Sequence, residues 1–209
     1  MKKLIAIMMA LCLLSGVAMA EVSPRILIAY ISRAGENYNV GITDPNSASA
    51  AYAGYIEKGN TQIVAEALAE LTGGDLYRIT TVEPYPDDYA SMLTRAREEL
   101  DADTRPELAG ELPNLDDYDI IMIGYPIWHG ATPRPVLTFL ENYDLSGKKL
   151  VPFNTHEGSG QSGTAKEIEH SAPNAEMVDG IAIQGKTAQE HTDQTIELLT
   201  DWLSRIGLK

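Results

Sequence analysis

Two apolar runs constrain this chain more than anything else in it: Arg25 to Ile31 (RILIAYI) and Tyr118 to Tyr125 (YDIIMIGY). Both are rich in branched residues, and neither alternates apolar with polar. A strand with one wet face alternates, so these read as strands buried on both faces. Such strands need a sheet covered on both sides, and the intervening sequence supplies the covers. Gly59 to Leu71 places Ile63, Val64, Ala67, Leu68 and Leu71 at helical spacing, with Asn60 or Thr61 to cap its start and Gly73-Gly74 to end it. Further strands are expected at 75–80, 148–154 and 175–183, and further helices at 86–100, 133–143, 163–170 and 187–206. The order is β-α, five times over. It predicts an α/β fold built on a doubly wound, five-stranded parallel sheet with helices on both faces. Ligands of such sheets sit outside the carboxyl ends of the strands.

The first 20 residues read as a separate element. Lys2 and Lys3 precede an uninterrupted apolar run from Leu4 to Leu14, and Ala18-Met19-Ala20 follows. That is the pattern of a secretory signal peptide over 1–20, with cleavage before Glu21 and an exported product, periplasmic or extracellular. The run is too short to span a bilayer. Residues 21–209 are left as one domain with no internal repeat. The whole chain carries a formal net charge of −14, and the leader holds two lysines and no acid, so the mature chain is two charges more negative. Such a surface repels nucleic acid and anionic lipid and favours partners with a basic face. Cys12 is the only cysteine and leaves with the leader, which removes disulfides and thiolate chemistry from the mature protein.

Three loops at the expected carboxyl edge carry the chemistry. Ser32 and Arg33 follow the first strand, and Gly59-Asn60-Thr61 opens the first helix. Hydroxyls, an amide and free backbone N–H groups at a helix start can seat a phosphate dianion, although simple helix capping accounts for the same residues. The two halves are separated by residues 33–58, far longer than an ordinary βα connection. This insertion reads either as a surface excursion or as a lid or docking loop. The second loop, Gly124 to Pro133, carries Trp128, which can close over a planar ligand or fold back onto the core. The third, Asn154 to Gly163, is rich in Gly and Ser, so its backbone can approach a ligand closely or simply turn at the surface. Two strings match nucleotide-site patterns, G-x-G-x-x-G at Gly158 to Gly163 and G-x-x-x-x-G-K-T at Gly180 to Thr187. The first follows the fourth expected strand rather than the first, and the second runs through the strand expected at 175–183, so neither has the context of a dinucleotide or nucleoside triphosphate site. There is no G-x-S-x-G elbow and no H-x-x-x-H pair, so hydrolase and metal readings lack support.

The segments ILIAYISRAGEN, GNTQIVAEALAELTGGDLYRI, DIIMIGYPIWHGATPRPVLTFLE and LSGKKLVPFNTHEGSG together resemble the flavodoxin family, in its longer flavodoxin-like branch. The resemblance implies a sheet of order 2-1-3-4-5 and noncovalent FMN. It implies that Ser32, Arg33, Asn60 and Thr61 hold the phosphate, and that Pro126, Ile127, Trp128, His129 and Gly130 line the ring system and ribityl chain. Thr155, His156, Glu157, Gly158 and Gly160 would close the other side. The function implied is electron transfer with a redox partner protein or quinone, without stable membrane insertion. The alternatives are an FMN-dependent NAD(P)H:quinone reductase and a binding protein that retains the fold without the redox role.

Overall fold

The computed structural model describes residues 23–36 and 55–209. The expected signal peptide and most of the expected insertion lie outside the described residues. Strand β1 (Ile26–Tyr30) is followed by two short strands, β2 (Gly35–Glu36) and β3 (Tyr55–Ile56), then helix α1 (Asn60–Thr72). The chain continues through β4 (Asp75–Arg78), α2 (Tyr89–Asp101), β5 (Ile120–Pro126), α3 (Arg134–Glu141), β6 (Lys149–His156) and α4 (Thr164–Ser171). It ends with β7 (Glu176–Met177), β8 (Ile181–Gln184), α5 (Gly185–Glu190) and α6 (Thr192–Arg205).

The main sheet is parallel throughout, in the order β4-β1-β5-β6, with β7 and β8 both pairing β6 on its outer side. Counting β7 and β8 as one interrupted strand, this is the order 2-1-3-4-5. Alternate residues of the central strands enter two separate cores, as the pleat requires. Leu27, Ala29, Ile121 and Ile123 face the core closed by Met92 and Ala96 of α2, Val136 and Phe139 of α3, and Ile168 of α4. Ile26, Ile28, Ile120 and Met122 face the other, closed by Val64 and Leu68 of α1, Ala188 of α5, and Leu199 and Trp202 of α6. Both faces of β1 and β5 are therefore buried, which is why neither sequence run alternates. Gly124 has a packing reason as well: a side-chain carbon there would lie 2.1 Å from the Phe153 ring of the neighbouring strand.

The last strand departs from expectation. Residues 175–183 form two short strands rather than one, and the cause lies in β6. Glu176 N–H donates to Lys148 O and Val178 N–H to Leu150 O, so alternate residues of β6 turn their polar groups to this side. Pro152 is the next such residue and has no N–H to offer. Here the register slips: Leu150 pairs Met177, but Phe153 pairs Ile181, so the outer strand spends four steps where β6 spends three. That is a β-bulge, with Gly180 against the Pro152 carbonyl and ring, where a side-chain carbon would lie 2.5 Å from Pro152 O. Trp202 of α6 closes the break from behind, its indole N–H donating to Asp179 O at 2.9 Å. The closing helix is also divided, into α5 and α6, at His191 (φ −130°, ψ 60°).

Candidate cofactor site

The carboxyl ends of β1, β5 and β6, with the N-terminal turns of α1 and α2, enclose a cleft of about 300 Å³. At its floor the split turn is reunited. Gly59, which precedes α1, provides no side-chain cap. Ser32 supplies one from the far side of the insertion, its Oγ accepting from Gln62 N–H at 3.1 Å. The two halves touch so closely that a side-chain carbon on Gly59 would lie 2.1 Å from Arg33 O and 2.3 Å from Ser32 Oγ. The foot of the insertion explains how they meet: β2 and β3 pair antiparallel, Gly35 with Ile56 and Glu36 with Tyr55, so the excursion leaves and returns at one place. With Gln62 N–H given to Ser32 and Ile63 N–H to Gly59 O at 3.2 Å, the N–H groups of Asn60 and Thr61 have no partner within the helix and can serve an anion.

The four residues expected around that anion behave differently from one another. All four, Ser32, Arg33, Asn60 and Thr61, line the cleft. Thr61 is buried at its floor, its hydroxyl 2.7 Å from that of Thr155 on β6. Arg33 turns toward the loop before α2, donating from Nε to Pro86 O at 3.4 Å and from its terminal nitrogen to Asp87 O, with its guanidinium 5.9 Å from the Tyr89 ring centroid. Its described role is to tie α2 to β1. Asn60 is oriented by Gln189 of α5, whose Nε2 donates to Asn60 Oδ1 at 2.8 Å, and Asn60 Nδ2 in turn donates to Glu157 Oε1 at 3.3 Å.

The β5 loop forms one wall. Trp128 and Ala131 exchange backbone hydrogen bonds around His129 (φ 51°) and Gly130 (φ 75°), a tight turn with both central residues left-handed. Trp128 borders the cleft but folds back onto the core. It is 9% exposed and packs edge-on to Tyr85 with ring centroids 4.8 Å apart. His129 donates from Nε2 to Leu93 O at 2.8 Å, pinning the turn to α2. Pro126, Ile127 and Gly130 complete this side.

The β6 loop forms the opposite wall with Thr155, His156 and Glu157. His156 Nδ1 accepts from Gly158 N–H at 2.9 Å, so its proton sits on Nε2. Burial holds its pKa below the ordinary histidine value, so the ring is neutral at pH 7. Burial acts the opposite way on Glu157, pushing its carboxyl up to about 7 against the pull of the Asn60 hydrogen bond. Gly158 (φ 114°) and Gly160 (φ 61°) do not line the cleft; they turn the loop, Gly160 O accepting from Asn154 Nδ2 at 3.1 Å. Ser159 does line it.

Tyr89, Met92 and Leu93 of α2 also line the cleft, although none of the sequence motifs singles them out. The signal was available: the loop after the second strand must also emerge at the carboxyl edge, and it leads directly into α2. Among the described residues no cluster of His, Cys, Asp and Glu could hold a metal, and no helix is long and apolar enough to cross a membrane.

Comparison with known proteins agrees with this architecture. The flavodoxin family model matches residues 48–203. A candidate flavoprotein from Bacteroides eggerthii is 28% identical, with 89% of this chain and 99% of its own covered and a TM-score of 0.66. A second, from Bacteroides uniformis, is 25% identical over 85% of this chain and 99% of its own, with a TM-score of 0.62. A flavoprotein in complex with FMN from Lactobacillus acidophilus shares the fold at 19% identity, covering 78% of this chain and 95% of its own, with a TM-score of 0.54. No curated protein matches. With three quarters of its length matched by the family model and the 2-1-3-4-5 sheet in place, the chain belongs to the flavodoxin family.

Proposed function

We propose that this protein is an exported electron carrier that binds FMN in the cleft described above. The observation that carries the reading is the Ser32–Gln62 hydrogen bond, which makes one phosphate seat from two segments far apart in sequence. The residues present fit the group. A phosphate dianion suits the first N–H groups of α1, ahead of the Ser32 cap, and the space that Gly59 leaves free is needed for the two halves of that seat to meet. An isoalloxazine ring suits the apolar wall made by Ile127, Met92 and Leu93, with Trp128 behind it.

Ser32, Asn60 and the backbone at the start of α1 receive the phosphate, with Thr61 and Thr155 fixing the helix from below. Arg33 holds the α2 loop against the seat. Pro126, Ile127, Trp128, His129 and Gly130 bound one side of the cofactor. Thr155, His156 and Glu157 bound the other, on a loop shaped by Gly158 and Gly160. FMN, when bound, supplies the electron chemistry, and the chain sets its exposure and potential. His156, neutral at pH 7, places no positive charge beside it. The acidic surface suits a redox partner with a basic contact face, or a quinone reaching the open side. The apolar leader supports delivery outside the cytoplasm.

Absorption spectra of the purified protein with and without added FMN test the reading. Stoichiometric binding with a perturbed flavin spectrum is expected, and failure to bind at micromolar FMN overturns it. Sustained NAD(P)H oxidation by the loaded protein would replace the carrier with a reductase.

A further inference from the structure

One polar atom beside the cleft has no partner. Glu157 Oε1 accepts from Asn60, but Oε2 is shut off from solvent and meets no donor among the described residues. The placement is built rather than incidental. Gln189 turns the Asn60 amide toward the carboxyl. Gly185, the first residue of α5, leaves the room in which amide and carboxyl meet: a side-chain carbon there would lie 2.2 Å from both Asn60 Nδ2 and Glu157 Oε1.

The charged groups on the surrounding elements are committed elsewhere. Beside α1, Lys58 pairs Glu66 at 2.6 Å, and Glu66 also accepts from Gln62. On α5, Lys186 lies 3.8 Å from Glu190. On β6, His156 is neutral at pH 7 and uses Nδ1 to accept from Gly158. The two side chains nearest the carboxyl, Asn60 and Gln189, are uncharged amides. An ionised carboxylate here carries a buried charge on an oxygen with nothing to accept from; protonation removes the charge that burial penalises, although the hydroxyl meets no acceptor among the described residues either. Asn60 is also the first residue of α1, so this carboxyl stands one hydrogen bond from the place assigned to the phosphate.

We propose that Glu157 is the proton-linked group of the phosphate seat: a dianion at the start of α1 requires Glu157 to be neutral, and its binding draws one proton from solvent onto that carboxyl. The proposal rests on the reading of the cleft as an FMN site. The proton ends on Glu157, and no other bond forms or breaks. Burial raises this carboxyl from its ordinary range to about 7, which leaves it mostly ionised in the cofactor-free protein at pH 8 and ready to take the proton up.

The test is calorimetric titration of cofactor-free protein with FMN at pH 8, in two phosphate-free buffers of different protonation enthalpy. Free FMN is already a dianion there, because the second phosphate pKa is about 6. The wild type is expected to take up more than about half a proton per FMN, and its affinity to fall with rising pH toward the tenfold per unit of a one-proton linkage. Glu157→Gln is expected to bind FMN with little uptake and a flat profile. Binding of FMN by the wild type without proton uptake overturns the proposal and leaves the functional reading standing, as does undiminished uptake in Glu157→Gln. Failure of folded wild-type protein to bind FMN overturns both. Should the variant not fold, the wild type measured in the two buffers still decides.

Discussion

Gly59 is the narrowest point of the seat. A methyl group there collides with Arg33 O and Ser32 Oγ, the two atoms that bring the halves of the turn together. Its backbone is ordinary (φ −66°), so the requirement is for space rather than for a left-handed conformation. Gly59→Ala should therefore cost FMN affinity at least tenfold, about 1.4 kcal/mol, while the far-ultraviolet circular dichroism stays that of the wild type. Fluorescence titration with FMN measures it. Individual residues were unevenly legible from sequence. Ser32 is legible as the residue leaving the first strand and Asn60 and Thr61 as those opening the first helix, but the expected cap by Asn60 or Thr61 does not form: both lie inside the helix, and Ser32 caps it. Trp128 admitted two readings, and its contact with Tyr85, contributed by a distant loop, decides for burial. The resemblance places Glu157 beside the cofactor, but nothing in the sequence singles out its carboxyl from its neighbours. What isolates its carboxyl is Asn60, Gly185 and Gln189, brought to it only by the tertiary fold.

Among the elements, the paired foot of the insertion separates what the seat needs from what it tolerates. Since β2 and β3 meet at Glu36 and Tyr55, replacing residues 37–54 by Asn-Gly should close a two-residue hairpin and leave the Ser32–Gln62 contact intact. Such a variant is expected to bind FMN within about tenfold of the wild type. Loss of binding would show that the excursion itself contributes contacts. At the opposite side, Trp202 joins α6 to the break in the outer strand. Trp202→Phe keeps much of the apolar volume but leaves Asp179 O without its donor, at a cost of about 1–3 kcal/mol in a urea melt. The buried strands and the helices between them were readable because their patterns are local. The interruption of the last strand was not. Pro152 is visible in the sequence, but its effect falls on residues 178–180, and finding it requires knowing which strand lies alongside and in what register.

For the whole molecule, charge is the property that the sequence states most directly. A chain of net charge −14 opposes further negative charge in its cleft, and the neutral His156 does nothing to offset it. The midpoint potential of bound FMN at pH 7 should consequently lie below that of free FMN, by an amount that shrinks with added salt; a redox titration at low and high ionic strength measures both effects. The sequence of elements also foretold the layered architecture, because five β-α units leave few ways to cover a parallel sheet. The bulge opposite Pro152 bears on how such molecules behave toward each other. It lies on one of the two edge strands of the sheet, the one opposite β4, whose outward row of amides and carbonyls could otherwise template the strand of a neighbouring molecule. By throwing that row out of step, a single proline one strand further in denies approaching copies a continuous edge on this side of the sheet, and so disfavours strand addition there.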